Sequence, residues 1–82
     1  MYQPIEEEIS VAGIFSEGKF LPKKFKWQQK IYPITEITLT ARSRDGQVQL
    51  QHFSVVADGN LYRLMYNQTT QHWKLAEIWC DG

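Results

Sequence analysis

Apolar and polar residues alternate with a period of two along most of the chain, a pattern typical of half-buried β-strands. In residues 5–15, Ile5, Ile9 and Val11 share one face of such a strand, whereas Glu6 lies on the other face. Little of the sequence has the period of 3.6 residues that an amphipathic helix requires. The pattern therefore predicts an all-β fold.

Short turn signals separate the alternating stretches. Asp45-Gly46 and Asp58-Gly59 supply the glycine that tight hairpin turns favour, and Gln28-Gln29 is a plausible turn without one. The strands predicted between the turns span residues 5–15, 19–27, 30–41, 47–57, 60–66 and 72–79.

Two of these strands change phase, because their apolar residues switch from one parity to the other. In the third strand the switch falls between Tyr32 and Ile37, which predicts a bulge near Thr35. In the fourth strand the switch falls between Leu50 and Phe53. Six twisted strands joined by short turns predict an antiparallel meander, folded as a strongly curved sheet or a small, partly open barrel.

The composition is that of a small folded domain. The chain has 82 residues, of which 43% are hydrophobic and 13% aromatic, so we expect one domain with one core. A single cysteine, Cys80, excludes an intramolecular disulfide. The sequence has neither a signal peptide nor an apolar run of the ~20 residues that a membrane helix needs. We therefore expect a cytoplasmic protein without cofactor or membrane contact.

Charge is unevenly distributed although the formal net charge is zero. Residues 1–17 hold four acids and no base, whereas residues 19–44 hold seven bases and one acid, Glu36. Within the basic part, residues 19–32 also hold four aromatic residues. Lysines neutralise phosphates and exposed aromatic rings stack on bases, so this part is a candidate nucleic-acid interface. Its basic residues are Lys19, Lys23, Lys24, Lys26, Lys30, Arg42 and Arg44.

Two structural interpretations compete with nucleic-acid binding. The acidic first strand would neutralise the basic second strand if the two paired along their charged faces. Lys24 and Lys26 have the opposite parity to Phe25 and Trp27, as on any half-buried strand, and lysines on an edge strand prevent aggregation.

Other candidate sites have weaker sequence support. His52, His72 and Cys80 lack the spacing of metal ligands, so we expect no metal site. The chain has no nucleophile elbow, phosphate-binding glycine loop or metalloprotease motif, and we expect no enzymatic activity. Aromatic residues at strand spacing indicate a core rather than a cage for a cationic ligand. The four that we considered for a cage are Tyr62, Tyr66, Trp73 and Trp79.

The chain resembles a small uncharacterised bacterial domain family in three segments: P-K-K-F-K-W-Q-Q-K-I-Y-P-I, F-S-V-V-A-D-G-N-L-Y-R-L and W-K-L-A-E-I-W. The resemblance covers about residues 20–80. Members of that family occur alone or appended to the C-terminus of proteins similar to Y-family translesion DNA polymerases. The resemblance implies an association with DNA repair, and it carries over no binding or catalytic residue.

We therefore expect a non-catalytic binding module. One hypothesis is an accessory to DNA repair or replication that contacts nucleic acid through the basic residues. The other is a protein-interaction adaptor that uses a sheet edge or an aromatic patch, with a homodimer as one possible form.

Overall fold

A computed structural model describes residues 1–79, and this part of the chain is almost entirely β-strand. The prediction of an all-β antiparallel meander is confirmed. The first and third strands are longer than their sequence patterns indicated. The six strands are β1 (Tyr2–Ser16), β2 (Lys19–Trp27), β3 (Lys30–Asp45), β4 (Val48–Ala57), β5 (Asn60–Asn67) and β6 (His72–Trp79).

The strands form one closed ring in the order of the sequence. Each strand pairs antiparallel with the next, and β1 closes the ring by pairing with β6 from Tyr2 to Ile9. From Ser10 onward β1 instead pairs with β2. The ring is therefore continuous, although β1 contributes a different half of its length to each neighbour.

Tight turns connect the strands as the sequence predicts. Gln28 and Gln29 have φ of 51° and 65°, the positive values that a type I′ hairpin turn requires. Asp58 and Gly59 have the same signature, at 51° and 75°. Positive φ in a glutamine is less favourable than in a glycine, so the strand pairing on either side must hold the Gln28-Gln29 turn.

Two bulges lie on β3, where Thr35 and Thr38 are each an extra residue relative to β4. The Thr35 hydroxyl donates a hydrogen bond to the carbonyl oxygen of Val56 at 3.1 Å, and the Thr38 hydroxyl donates to that of Ser54 at 3.1 Å. The predicted bulge near Thr35 is confirmed. These bulges bend β3 and increase its twist.

The phase change in β4 does not correspond to a bulge of that strand. The pairing of β4 with β5 runs without a shift from Leu50 to Ala57. Leu50 therefore lies on the outer face, whereas Phe53, three residues further on and of the opposite parity, lies in the core.

The core fills the middle of the ring. Phe25 stacks on Tyr32 with ring centroids 5.0 Å apart, and Tyr62 meets Phe25 edge to face at 5.1 Å. Burying one such side chain contributes roughly 1.5–3 kcal/mol. The buried cluster consists of Ile9, Phe25, Tyr32, Phe53, Val55, Ala57, Tyr62, Leu64 and Leu75.

None of the residues that the structure describes belongs to a helix long and apolar enough to cross a membrane.

Candidate functional site

The ladder between β2 and β3 is the shortest in the ring. It has four pairs, from Trp27 with Lys30 to Lys24 with Pro33, and then stops. Pro33 has no N–H to donate to a further rung, and on β2 the extra residue Lys23 is followed toward the N-terminus by Pro22. The first part of β2 and the second part of β3 therefore do not pair with each other.

This break separates two hairpins at one end of the ring. The first arm is the β1–β2 hairpin around Glu17-Gly18, and the second arm is the β3–β4 hairpin around Asp45-Gly46. A cleft of about 840 Å³ lies between them, with part of β5 and β6 as its floor. Its lining consists of Val11, Phe15, Gly18, Lys19, Phe20, Leu21, Ile37, Thr40, Arg42, Gln51, Phe53, Tyr66, Gln68 and Trp73.

Gly13 allows the first arm to approach itself closely. A side chain at this position would meet the Leu21 carbonyl oxygen, the Phe20 ring at 2.7 Å and the Pro22 Cα at 2.9 Å. The absent side chain leaves room for the Phe20 ring, which lies over the β1 backbone and turns toward the cleft.

Aromatic rings run from the tip of the first arm to the floor of the cleft. Phe15 contacts Phe20 with centroids 5.1 Å apart, Phe20 contacts Trp73 at 5.7 Å, and Trp73 contacts Tyr66 at 4.8 Å. Phe53, which is only 2% exposed, lies 5.6 Å from Trp73 and closes the floor. Phe15 is 80% exposed at the other end of the line.

The polar part of the lining carries positive charge and no negative charge. Lys19 and Arg42 line the cleft from opposite arms, and Arg44 lies two residues beyond Arg42 on the same face of β3. Gln51 and Gln68 add uncharged amides. An anionic ligand with an apolar or planar body therefore matches this cleft better than a cationic one.

Lys24 and Lys26 lie outside the cleft, on the exposed outer face of the part of β2 that pairs with β3. Their partners across the strands are Ala12 and Ser10 on β1 and Pro33 and Ile31 on β3, none of which is acidic. In the part of the chain that the structure describes, the ion pairs involve Lys30, Arg63 and Lys74, and the His72 ring contacts Glu8. The six predicted site residues without an ion pair among residues 1–79 are Lys19, Lys23, Lys24, Lys26, Arg42 and Arg44.

Lys30 is the predicted site residue that forms an ion pair within residues 1–79. It begins β3 at the end of the ring opposite the cleft, where its Nζ is 3.2 Å from an oxygen of Asp58 and 5.0 Å from the centre of the Tyr32 ring. The hydrogen bond and the negative charge of Asp58 raise the pKa of Lys30. The Lys30 charge is therefore already paired with the Asp58 carboxylate within the fold.

The acids of β1 do not neutralise the lysines of β2, so the interpretation that these two strands cancel each other is wrong. Glu6 and Glu8 face β6, where their carboxylates pair with Lys74 at 3.7 Å and His72 at 3.3 Å. Glu7 accepts a hydrogen bond from the Trp27 indole at 3.1 Å. The ladder between β1 and β2 begins at Ser10, after the acids of β1.

Residues 1–79 contain no group of three His, Cys, Asp or Glu side chains placed to hold a metal ion. His52 forms a 2.7 Å hydrogen bond with Ser43, and no carboxylate of the described chain contacts its ring. Cys80, the third residue considered for a metal, lies outside the described residues. The Ser43–His52 pair thus lacks the acid that would orient a catalytic histidine.

The four aromatic residues considered for a cage do not converge. Tyr62 is in the core with Phe25, and Trp79 contacts Tyr2 at the end opposite the cleft. Tyr66 and Trp73 form part of the cleft floor, a role that strand parity alone did not distinguish from core packing.

Comparison of the chain with models of protein families, with curated proteins and with solved structures found no match.

Proposed function

We propose that this chain is a non-catalytic module that binds single-stranded nucleic acid along the basic first arm and across the cleft. The observation that carries the proposal is that six basic residues of β2 and β3 have no ion pair among residues 1–79, and that two of them, Lys19 and Arg42, line a cleft with aromatic rings and no acid. A basic groove that follows the phosphates, combined with aromatic rings that stack on bases, is the usual design for binding single strands.

A single strand fits this arrangement better than a duplex. The rings of Phe15, Phe20 and Trp73 offer stacking surfaces, and only an unpaired base exposes its face to them. The resemblance to domains appended to translesion polymerase-like proteins supports a place in bacterial DNA repair or replication. A cytoplasmic location belongs to the same proposal.

Fluorescence anisotropy of a labelled strand tests the proposal. We expect micromolar binding at low salt, a steep fall in affinity as salt rises, and weaker binding of the duplex of the same sequence. The triple variant Lys23→Glu, Lys24→Glu, Lys26→Glu should abolish binding. Absence of binding by the unaltered protein at low salt would refute the proposal.

A matched pair of double variants separates local contact from net charge. Lys24→Gln with Lys26→Gln removes two unpaired charges, whereas Lys30→Gln with Lys74→Gln removes two ion-paired ones. Each phosphate contact contributes about 0.7 to the slope of log affinity against log salt for a single strand. We expect the first pair to reduce that slope by roughly 1.4 and the second pair to leave it unchanged. Equal effects would show that only net charge matters.

A second candidate function is binding of an extended acidic segment of a partner protein. It is favoured by the unpaired edges of β2 and β3, which face the cleft and offer backbone groups to an added strand. Such binding should be lost when proline replaces Ala41 on β3. Competition by polyglutamate as strong as competition by unlabelled DNA would favour this candidate over nucleic acid.

A further inference from the structure

We infer that the cleft receives a single unpaired base of the nucleic acid, and that basic side chains in and around the cleft hold the flanking phosphates. This inference rests on the proposed function. It divides the interface into two parts. An outer basic surface binds phosphates whatever the nucleotide sequence, and an inner pocket binds one nucleobase.

The shape of the cleft supports a pocket rather than a track along the surface. Its volume of about 840 Å³ is within the range of roughly 300–1,000 Å³ for sites that enclose small organic molecules. The floor is formed by side chains from three strands, with Phe53 buried beneath Trp73. A sugar–phosphate chain that passed over the arms would leave this space empty, whereas a base turned inward would fill it.

The rings of the cleft are arranged to stack on such a base. Trp73 is fixed by contacts with Phe20, Phe53 and Tyr66, so its position does not depend on the ligand. Phe20 and Tyr66 contact Trp73 from different strands and leave part of their own surfaces accessible. A rigid indole supported by two further rings offers a planar base a stacking surface without reorganisation of the core.

The polar groups of the lining fit the edge of a base. Thr40, Gln51 and Gln68 form no side-chain hydrogen bond within the described chain, and their side chains together offer donors and acceptors. Amide side chains are suited to the paired donor and acceptor atoms on a base edge. Lys19 and Arg42 line the same cleft from opposite arms and are suited to the phosphates on either side of the inserted nucleotide.

The test compares two strands that differ in one base. One is an entirely abasic oligonucleotide, and the other is the same oligonucleotide with one central thymine. Both carry the same phosphates, so the outer surface should bind them with the same salt slope. We expect the single base to increase affinity roughly 5- to 150-fold, the factor equivalent to one stacked base. A second thymine beside the first should add little.

Two variants test whether the increase in affinity from the single thymine comes from the cleft. Phe20→Leu combined with Gln68→Ala should remove the advantage of the single base and leave the abasic strand bound as before. Tyr2→Leu is the matched control, because Tyr2 contacts Trp79 at the far end of the ring. The control should keep the full advantage. If both variants lost it equally, the pocket would not be the cause.

Fluorescence of Trp73 provides a second readout. With Trp27 and Trp79 replaced by Phe, the strand with one base should quench Trp73 and the abasic strand should not. Salt-dependent binding of both strands, with no gain and no quenching from the base, would overturn the pocket and leave the proposed function standing. Failure of both strands to bind at low salt would overturn the two together.

Discussion

Gly13 lies where the first arm is most tightly packed, and its importance is the space that it leaves. The ring of Phe20 and the backbone at Leu21 and Pro22 occupy the volume that a side chain would need. Because the Leu21 and Pro22 atoms belong to the backbone, they cannot move aside as the end of a flexible side chain can. The position of Phe20, and with it one wall of the cleft, therefore depends on a glycine at this residue.

Gly13→Ala should lower the free energy of unfolding by about 1–3 kcal/mol, as overpacking of a tight site does. The measurement is chemical denaturation followed by tryptophan fluorescence. Ala12→Ser, on the exposed neighbouring residue, should change stability by less than about 0.5 kcal/mol. An unchanged midpoint for Gly13→Ala would show that the arm adjusts without cost.

Tyr62 connects stability to pH at the alkaline end. Burial raises the pKa of its phenol above the ordinary value of 10.0, and a side-chain hydrogen bond with Asn60 opposes the shift. The folded state then holds a proton that the unfolded state releases near pH 10. The stabilisation is complete below that pH and is lost as pH rises through the higher folded pKa.

We therefore expect the free energy of unfolding to fall as pH rises above about 10. Tyr62→Phe should reduce this decline without abolishing it, because the raised pKa of Lys30 acts in the same direction. Urea titrations at pH 8 and above pH 10 measure the difference. A decline of the same size in both proteins would exclude Tyr62 as a cause.

At the scale of elements, bulges and prolines decide where pairing stops. Thr35 and Thr38 bend β3, and their hydroxyls bond to carbonyl groups of β4. Pro33 and Pro22 then end the ladder between β2 and β3. The cleft is the result of these few residues and not of a missing element.

The two bulge threonines give a direct test of this arrangement. Thr35→Val and Thr38→Val keep the β-branched shape and remove one hydrogen bond each, so each should cost about 0.5–1.5 kcal/mol of stability. Thr40→Val is the control, since the Thr40 hydroxyl forms no hydrogen bond within residues 1–79. Thermal unfolding compares the three. An equal loss at all three positions would assign the effect to the change of residue type.

Much of the fold could be predicted from the sequence because strand parity and turn residues are local properties. The six strands, their order and the bulge near Thr35 all followed from patterns within short segments. The cleft could not be predicted, because it depends on which residues face each other across β2 and β3. Tyr66 and Trp73 have the parity of core residues, and Arg42 falls after the predicted third strand, whereas β3 continues to Asp45.

At the scale of the whole molecule, strand pairing is less complete at the cleft end than in β4, β5 and β6. Each of β4, β5 and β6 pairs with a strand on both sides. At the cleft end, the first part of β2 and the second part of β3 each pair on one side only. Such segments open locally at lower free energy than a doubly paired core.

Native-state hydrogen exchange should reveal this difference. We expect amides in residues 19–23 and 39–45 to exchange through local openings well before those around Phe53 and Leu64, which should approach the free energy of global unfolding. Addition of the bound strand should slow exchange in both arms and leave the core unchanged. Uniform protection across the ring would contradict a divided structure.

The closure of β1 on β6 has a consequence for the rate of folding. The other five ladders join strands that are neighbours in sequence, whereas this one joins residues near the two ends of the described chain. Its loop-closure entropy is the largest in the fold, and pairing of this kind is slow to form. If it forms after the main barrier, weakening it at Ile9 speeds unfolding and leaves refolding almost unaltered. The closing ladder would then govern how long each native molecule lasts rather than how quickly it is made.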